Sequence, residues 1–304
     1  MNADTPNDPR SKRAICQTCQ FPNRTCICQA LPTEPLHPLF RRCRIILLQH
    51  PHELKRKNRS MPLVDLCVFG STKSDGAAVE TQDSEQDFVM KTIVGRGLGP
   101  DGHADVINHL SNPNQVIVLL FPGHNAMDFE KGIQLAERQC CIDSENDDAT
   151  SSVTETEKKK MTLLFIDATW KHAREMETKL TKSLECKHWI RVQLVPTASE
   201  KSSDENQVDL DTNDTVSNHD NTKDNTQQRQ FIQRRFEIRA PPSPDHLSTA
   251  ECLAWVVSRV ERNPVIFESI TKVLDYMVHL WRVNVSSGKK SKEMSQKTLD
   301  IKKI

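Results

Sequence analysis

The sequence predicts an α/β domain on a mostly parallel sheet flanked by helices, and three observations carry that prediction. Short apolar runs alternate with longer stretches of helical periodicity. The middle of each short run is continuously apolar rather than alternating, as strands covered on both faces require. Three runs end abruptly in polar residues, at His50-Pro51-His52-Glu53, Pro122-Gly123-His124 and Asp167-Ala168-Thr169-Trp170. In open parallel sheets, ligands bind outside the carboxyl ends of the strands. Those loops are therefore expected to converge on one site.

In chain order, the strands are read at Arg44–Gln49, Lys91–Val94, Val116–Phe121 and Leu163–Asp167. The helices are read at Ala126–Gln139, Lys171–Leu184, Thr249–Glu261 and Val265–Val283. Before them lies a flexible N-terminus over 1–15, then a four-cysteine segment over 16–31. The main domain is expected over 40–285. Residues 286–304, with six lysines, read as a solvated and disordered basic tail.

The chain has 304 residues and 34.6 kDa, room for one large domain or two small ones. Its longest purely apolar run, Val116–Phe121, is far short of the roughly 20 residues a membrane helix needs. The N-terminus is polar and carries Asp4 and Asp8, unlike a signal peptide. The expectation is a cytoplasmic or nuclear protein, neither secreted nor membrane-bound, with a monomer favoured. Formal net charge is zero, but unevenly spread. Asp143–Glu157 holds six acids and no base, and Ser199–Arg229 holds eight acids against three bases, so the remaining chain carries +11. Both stretches lack the apolar content to offset their ordering entropy and read as disordered insertions. A basic body points to a polyanionic partner such as RNA, with random surface charge as the plainer alternative.

Cys16, Cys19, Cys26 and Cys28 form C-x2-C-x6-C-x-C. Four thiolates this close suit a tetrahedral structural Zn²⁺, which folds a segment too short for its own core. Free thiols or a two-bridge knot are the alternatives, and the missing secretory signal disfavours disulfides. Asp167 stands where a buried strand meets a helix and is a candidate proton acceptor; Thr169 can cap the helix or bind ligand, and Trp170 is a core or stacking residue. Glu53 can bind a ligand hydroxyl or amine, while Arg56 and Arg59 belong to a basic run that can hold phosphates or simply face solvent. His52 and Glu53 alone are too few for a metal site. Gly95-Arg96-Gly97-Leu98-Gly99 does not fit a nucleotide-binding register, which leaves a turn with Arg96 as a phosphate contact. Ser248-Thr249-Ala250-Glu251 is a capping box, whose exposed helix-start amides can also receive a carboxylate.

Together these pieces resemble the DTW-domain family. The matching residues are Cys16-x2-Cys19-x2-Pro22-x3-Cys26-x-Cys28-x2-Leu31 and Leu48-Gln49-His50-Pro51-x-Glu53. They continue with Leu120-Phe121-Pro122-Gly123, Ile166-Asp167-Ala168-Thr169-Trp170 and Ile238-Arg239-x2-Pro242-x4-Leu247-Ser248-Thr249-x-Glu251. The order is that of the family from about Cys16 to Arg282, and the likeness is to its eukaryotic-type tRNA-uridine aminocarboxypropyltransferases. Ala168 replaces a usual Gly, and Ser60 a common Thr. The resemblance implies transfer of the 3-amino-3-carboxypropyl group of S-adenosylmethionine to N3 of a tRNA uridine, releasing methylthioadenosine. It implies a SPOUT-like sheet, and Asp167, Thr169 and Trp170 as catalytic residues. Leu120, Pro122, Gly123, Arg239, Leu247, Ser248, Thr249 and Glu251 are expected to hold S-adenosylmethionine. His50, Glu53, Arg56, Arg59 and Arg96 are expected to meet RNA. The alternatives are an RNA methyltransferase, an aminocarboxypropyltransferase acting on ribosomal RNA, and a non-catalytic zinc-containing RNA-binding adaptor.

Overall fold

The computed structural model describes residues 14–56, 59–70, 88–99, 103–142, 159–184, 186–194, 234–238 and 247–301, the last sixteen and 142 as backbone only. The acidic stretches and Arg239 lie outside the described residues. Six strands form one sheet: β1 (Cys43–Gln49), β2 (Met90–Val94), β3 (Ile117–Leu120), β4 (Met127–Asp128), β5 (Met161–Asp167) and β6 (Ile190–Gln193). Their order is β2-β1-β5-β3-β6-β4, and every pair is parallel. The helices are α1 (Pro51–Leu54), α2 (Met61–Phe69), α3 (Ala104–Ser111), α4 (Phe129–Ile142), α5 (Trp170–Ser183), α6 (Thr249–Glu261) and α7 (Pro264–Ile301).

Alternating side chains sort the sheet into two cores. Ile45, Leu47, Val118, Leu163, Phe165 and Val192 face α2, α4, α6 and α7. Ile46, Leu48, Ile117, Leu119 and Leu164 face α3 and α5. All of these are buried, which is why β1 and β5 lack alternation in sequence. Gly132 in α4 lies so close to β6 that a Cβ would fall 2.1 Å from Val192 Cγ1, so glycine permits that helix-on-sheet contact. Glu261, at the end of α6, accepts main-chain hydrogen bonds from Arg41, Arg42 and Cys43 at 2.9–3.0 Å and anchors the start of β1.

All four expected strands and three of the four expected helices are present within a few residues, and the fourth, Val265–Val283, lies inside the longer α7. β4, β6, α1, α2 and α3 are additional. β6 reads Ile-Arg-Val-Gln with only alternate residues buried, and β4 has two residues, so neither leaves an apolar run. α7 continues in backbone to Ile301, so much of the stretch assigned by composition to a disordered basic tail is helical. Among the described residues no helix is long and apolar enough to cross a membrane.

Candidate functional site

β1 and β5 are neighbours, but the chain leaves them in opposite directions, from β1 to β2 on one side and from β5 to β6 on the other. Such a switch point opens a crevice at the strand carboxyl ends. Gln49 and Asp167 are paired in register there. Gln49 Nε2 donates to Asp167 Oδ2 at 2.8 Å, and the Thr249 hydroxyl donates to Asp167 Oδ1 at 2.8 Å. The His50 amide donates to the Asp167 carbonyl at 2.9 Å, and the Gly95 amide to that of Gln49 at 3.0 Å. Asp167 therefore joins β1, β5 and the start of α6, with the Gly95–Gly97 turn alongside. Those segments are separated by up to 200 residues in sequence, from Gln49 to Thr249.

The start of α6 is built as the sequence indicated. Ser248 caps the helix, and Glu251 closes the box by accepting the Ser248 amide at 2.7 Å. Glu251 is buried, and its other oxygen accepts the amides of Phe236 and Arg235. It is committed to holding the Arg234–Ile238 segment against α6. Leu247 and Ser248 are half-buried next to Thr249. On the other side, β3 pairs with β5 as far as Leu119 and Leu164, and Phe121 and Pro122 follow just after the end of β3. Phe121 and Trp170 are 6.5 Å apart between ring centroids, and the Arg191 guanidinium lies 5.4 Å from the Phe121 ring. Leu120 is half-buried, whereas Pro122 and Gly123 are exposed. The Gly123 amide lies 3.4 Å from Gln193 Oε1. Arg191 also pairs with Glu177 of α5.

Thr169 caps α5: its hydroxyl accepts the His172 amide at 3.5 Å and lies 3.1 Å from His172 Nδ1. The His172 ring stacks on His50, 4.1 Å between centroids and 4° from parallel. His52 meets both rings edge-on. His50 is 2% exposed, and burial, with the nearby His172, His52 and Arg96, holds it below the usual histidine range. Glu53 is 4% exposed and pairs with Arg56 at 3.1 Å. His50 and Glu53 are thus buried beneath the rim rather than on its open face. Arg56 is exposed, and Arg59 is half-buried just before α2. Ala168 adopts no left-handed backbone; among the described residues only Gln20, Arg262 and Gly70 have positive φ, so alanine is tolerated there. Sequence reasoning missed His172, Arg191 and Gln193. For His172 a signal existed, since its position three residues after Thr169 puts it in the first turn of the helix.

Away from the rim, the four N-terminal sulfurs converge. Cys16 and Cys28 are 3.5 Å apart, Cys19 and Cys26 are 3.7 Å apart, and all four lie within 4.8 Å of one another. A tetrahedron with metal–sulfur bonds of about 2.3 Å has edges of about 3.8 Å, so the set fits a four-coordinate thiolate site. The amides of Cys19 and Thr18 lower the Cys16 thiol to about 6, while burial pushes Cys28 up to about 12. Gln20, at φ 58°, turns the chain after the first pair. Ile27 and Ala30 enter the main core, and the segment packs on α7.

A parallel α/β domain with a polar switch-point rim and a separate four-thiol cluster is an architecture that α/β enzymes share. The family model for the DTW domain matches residues 13–282, and the chain belongs to the DTW-domain family. It is 24% identical over 271 residues to tRNA-uridine aminocarboxypropyltransferase 2 of Macaca fascicularis, covering 89% of this chain and 64% of that protein. It is 25% identical over 169 residues to tRNA-uridine aminocarboxypropyltransferase A of Arabidopsis thaliana, covering 56% of this chain and 52% of the relative. The chain thus spans less than two thirds of the length of either relative. No solved structure matches.

Proposed function

We propose that this protein is a tRNA-uridine aminocarboxypropyltransferase, moving the 3-amino-3-carboxypropyl group of S-adenosylmethionine to N3 of a uridine in tRNA. The observation that carries the reading is the rim around Asp167, where the ends of β1 and β5 and the start of α6 meet through side-chain hydrogen bonds. The names of the two relatives and the family match support it.

A sulfonium activates all three carbons attached to it, so the transferred group is decided by which carbon the pocket holds against the nucleophile. S-Adenosylmethionine is assigned to the crevice between the Leu120–Gly123 loop and the Leu247–Thr249 helix start, with Arg239 as partner for the methionyl carboxylate. Asp167, Thr169 and Trp170 face the reacting groups, and Asp167 fixes the Thr249 hydroxyl and the Gln49 amide. The uridine must leave its stack to enter, and Trp170 is assigned as its stacking partner. Arg56, Arg59 and Arg96 are assigned to tRNA phosphates, with His50 and Glu53 shaping the loop behind them. Zn²⁺ in the Cys16, Cys19, Cys26, Cys28 set is structural, since four thiolates leave no open position.

The test is the fate of the donor. Purified protein given tRNA and S-adenosylmethionine is expected to accumulate methylthioadenosine in step with modified uridine. Release of S-adenosylhomocysteine instead would assign a methyltransferase, and release of neither would favour a binding protein.

A further inference from the structure

The rim holds three imidazoles, His50, His52 and His172, with one ring nitrogen of each within 4.8 Å of the others. The number suggests a metal site, but the geometry does not. A metal bound to an imidazole lies close to the plane of its ring, and two parallel rings stacked face to face share no such position. The His50 and His172 rings are parallel to within 4°. His50 Nδ1 is also already occupied, accepting the His52 amide at 3.2 Å.

A cofacial pair of imidazoles is instead suited to holding one proton. A second proton would set two cations face to face, beside Arg96 and His52, with Glu175 as the acid facing them. Burial disfavours charge on the inner ring, His50, while His172 is the half-buried outer ring of the pair. The Thr169 hydroxyl oxygen has two lone pairs and can accept both the main-chain N–H and the Nδ1–H of His172. That tautomer leaves the Nε2 lone pair available. Asp167, by contrast, already accepts a hydrogen bond at each carboxylate oxygen, and such a carboxylate is a weaker proton acceptor.

We infer that His172 is the base that takes the uridine N3 proton, with His50 as the neutral ring that positions it and Asp167 as an orienting group. This rests on the aminocarboxypropyl-transfer reading above. The N3–H proton passes to His172 Nε2, and the freed N3 electron pair bonds to the terminal carbon of the aminocarboxypropyl group. The carbon–sulfur bond breaks with its electrons left on sulfur, and neutral methylthioadenosine departs. The imidazolium then returns its proton to water.

The experiment is single-turnover modification of tRNA from about pH 5.5 to 9, through the histidine range. Wild-type protein is expected to gain rate through a histidine midpoint and then level off. His172→Ala is expected to lose at least ~100-fold near neutrality, to rise log-linearly with pH instead, and to recover saturably with added imidazole. Its S-adenosylmethionine and tRNA affinities should stay within about threefold, and His52→Ala should modify at near the wild-type rate. A His172→Ala enzyme that keeps its rate or its rising limb, or that binds both substrates but ignores imidazole, overturns the assignment while leaving the reaction intact. Should that variant not fold, the wild-type profile decides: a rate independent of pH across the histidine range removes His172. Wild-type protein that forms no methylthioadenosine fails at the earlier step and sinks both readings.

Discussion

Among the described residues there are two clusters of metal-competent side chains, and only one is arranged to chelate. The four N-terminal sulfurs lie within 4.8 Å of one another, with two pairs at 3.5 and 3.7 Å, close to the edge of a metal–thiolate tetrahedron. The three rim imidazoles are just as close together, yet two of them lie face to face. Proximity gives both the same raw count of donors, but orientation separates them. Lone pairs aimed at one point make a metal site, whereas stacked rings make a proton site beside a reactive centre.

The largest expected effect is on the first cluster. Cys19→Ser, or strong chelation, is expected to release one equivalent of zinc and to unfold residues 16–31. Ile27 and Ala30 leave the core with them, lowering the melting temperature by roughly 5–15 °C. Metal analysis and calorimetry on the same sample check this, and a metal-free protein of unchanged stability would break the contrast. At the rim the expected loss is of rate rather than of fold. Asp167→Ala frees Gln49 and Thr249, and misplacement of that order costs about 100-fold. tRNA binding should survive, as filter binding can show.

Smaller effects come from the scaffold shared by both regions. Glu261→Ala strands the amides of Arg41, Arg42 and Cys43, for about 1–3 kcal/mol in urea unfolding. His109 donates to or accepts from Thr162 at 2.8 Å, and burial, then Arg44, hold it near 4 rather than 6.5. Its folded value lies below its unfolded one, so the unfolded chain takes up the proton first as pH falls. Stability should therefore decline from about pH 6.5 towards 4 by on the order of 1–2 kcal/mol, part of the shift being screened by solvent. His109→Gln should flatten that slope in a pH series of melts.

What the sequence could reveal follows from distance along the chain. The cysteine cluster lies within thirteen residues, so its spacing alone proposed the site. The inner strands β1, β5 and β3 were visible because burial on both faces demands continuous apolar runs. β6, with only alternate residues buried, and the two-residue edge strand β4 leave no such run and were not seen. Asp167 could be nominated, since a charged residue closing a buried strand needs a reason. Its bonds to Gln49 and Thr249 could not, because they depend on sheet order. The His50–His172 stack spans 122 residues and likewise exists only once β1 and β5 are paired. Glu251 shows the converse, since its role as a strut was already legible in the capping-box spacing.

The most direct test of the central claim uses S-adenosylmethionine labelled separately in its methyl group and in its carboxyl carbon. With purified protein and tRNA, the carboxyl label is expected in the RNA, on uridine N3, and the methyl label in released methylthioadenosine. Methyl label in the RNA, or no label there at all, would contradict it.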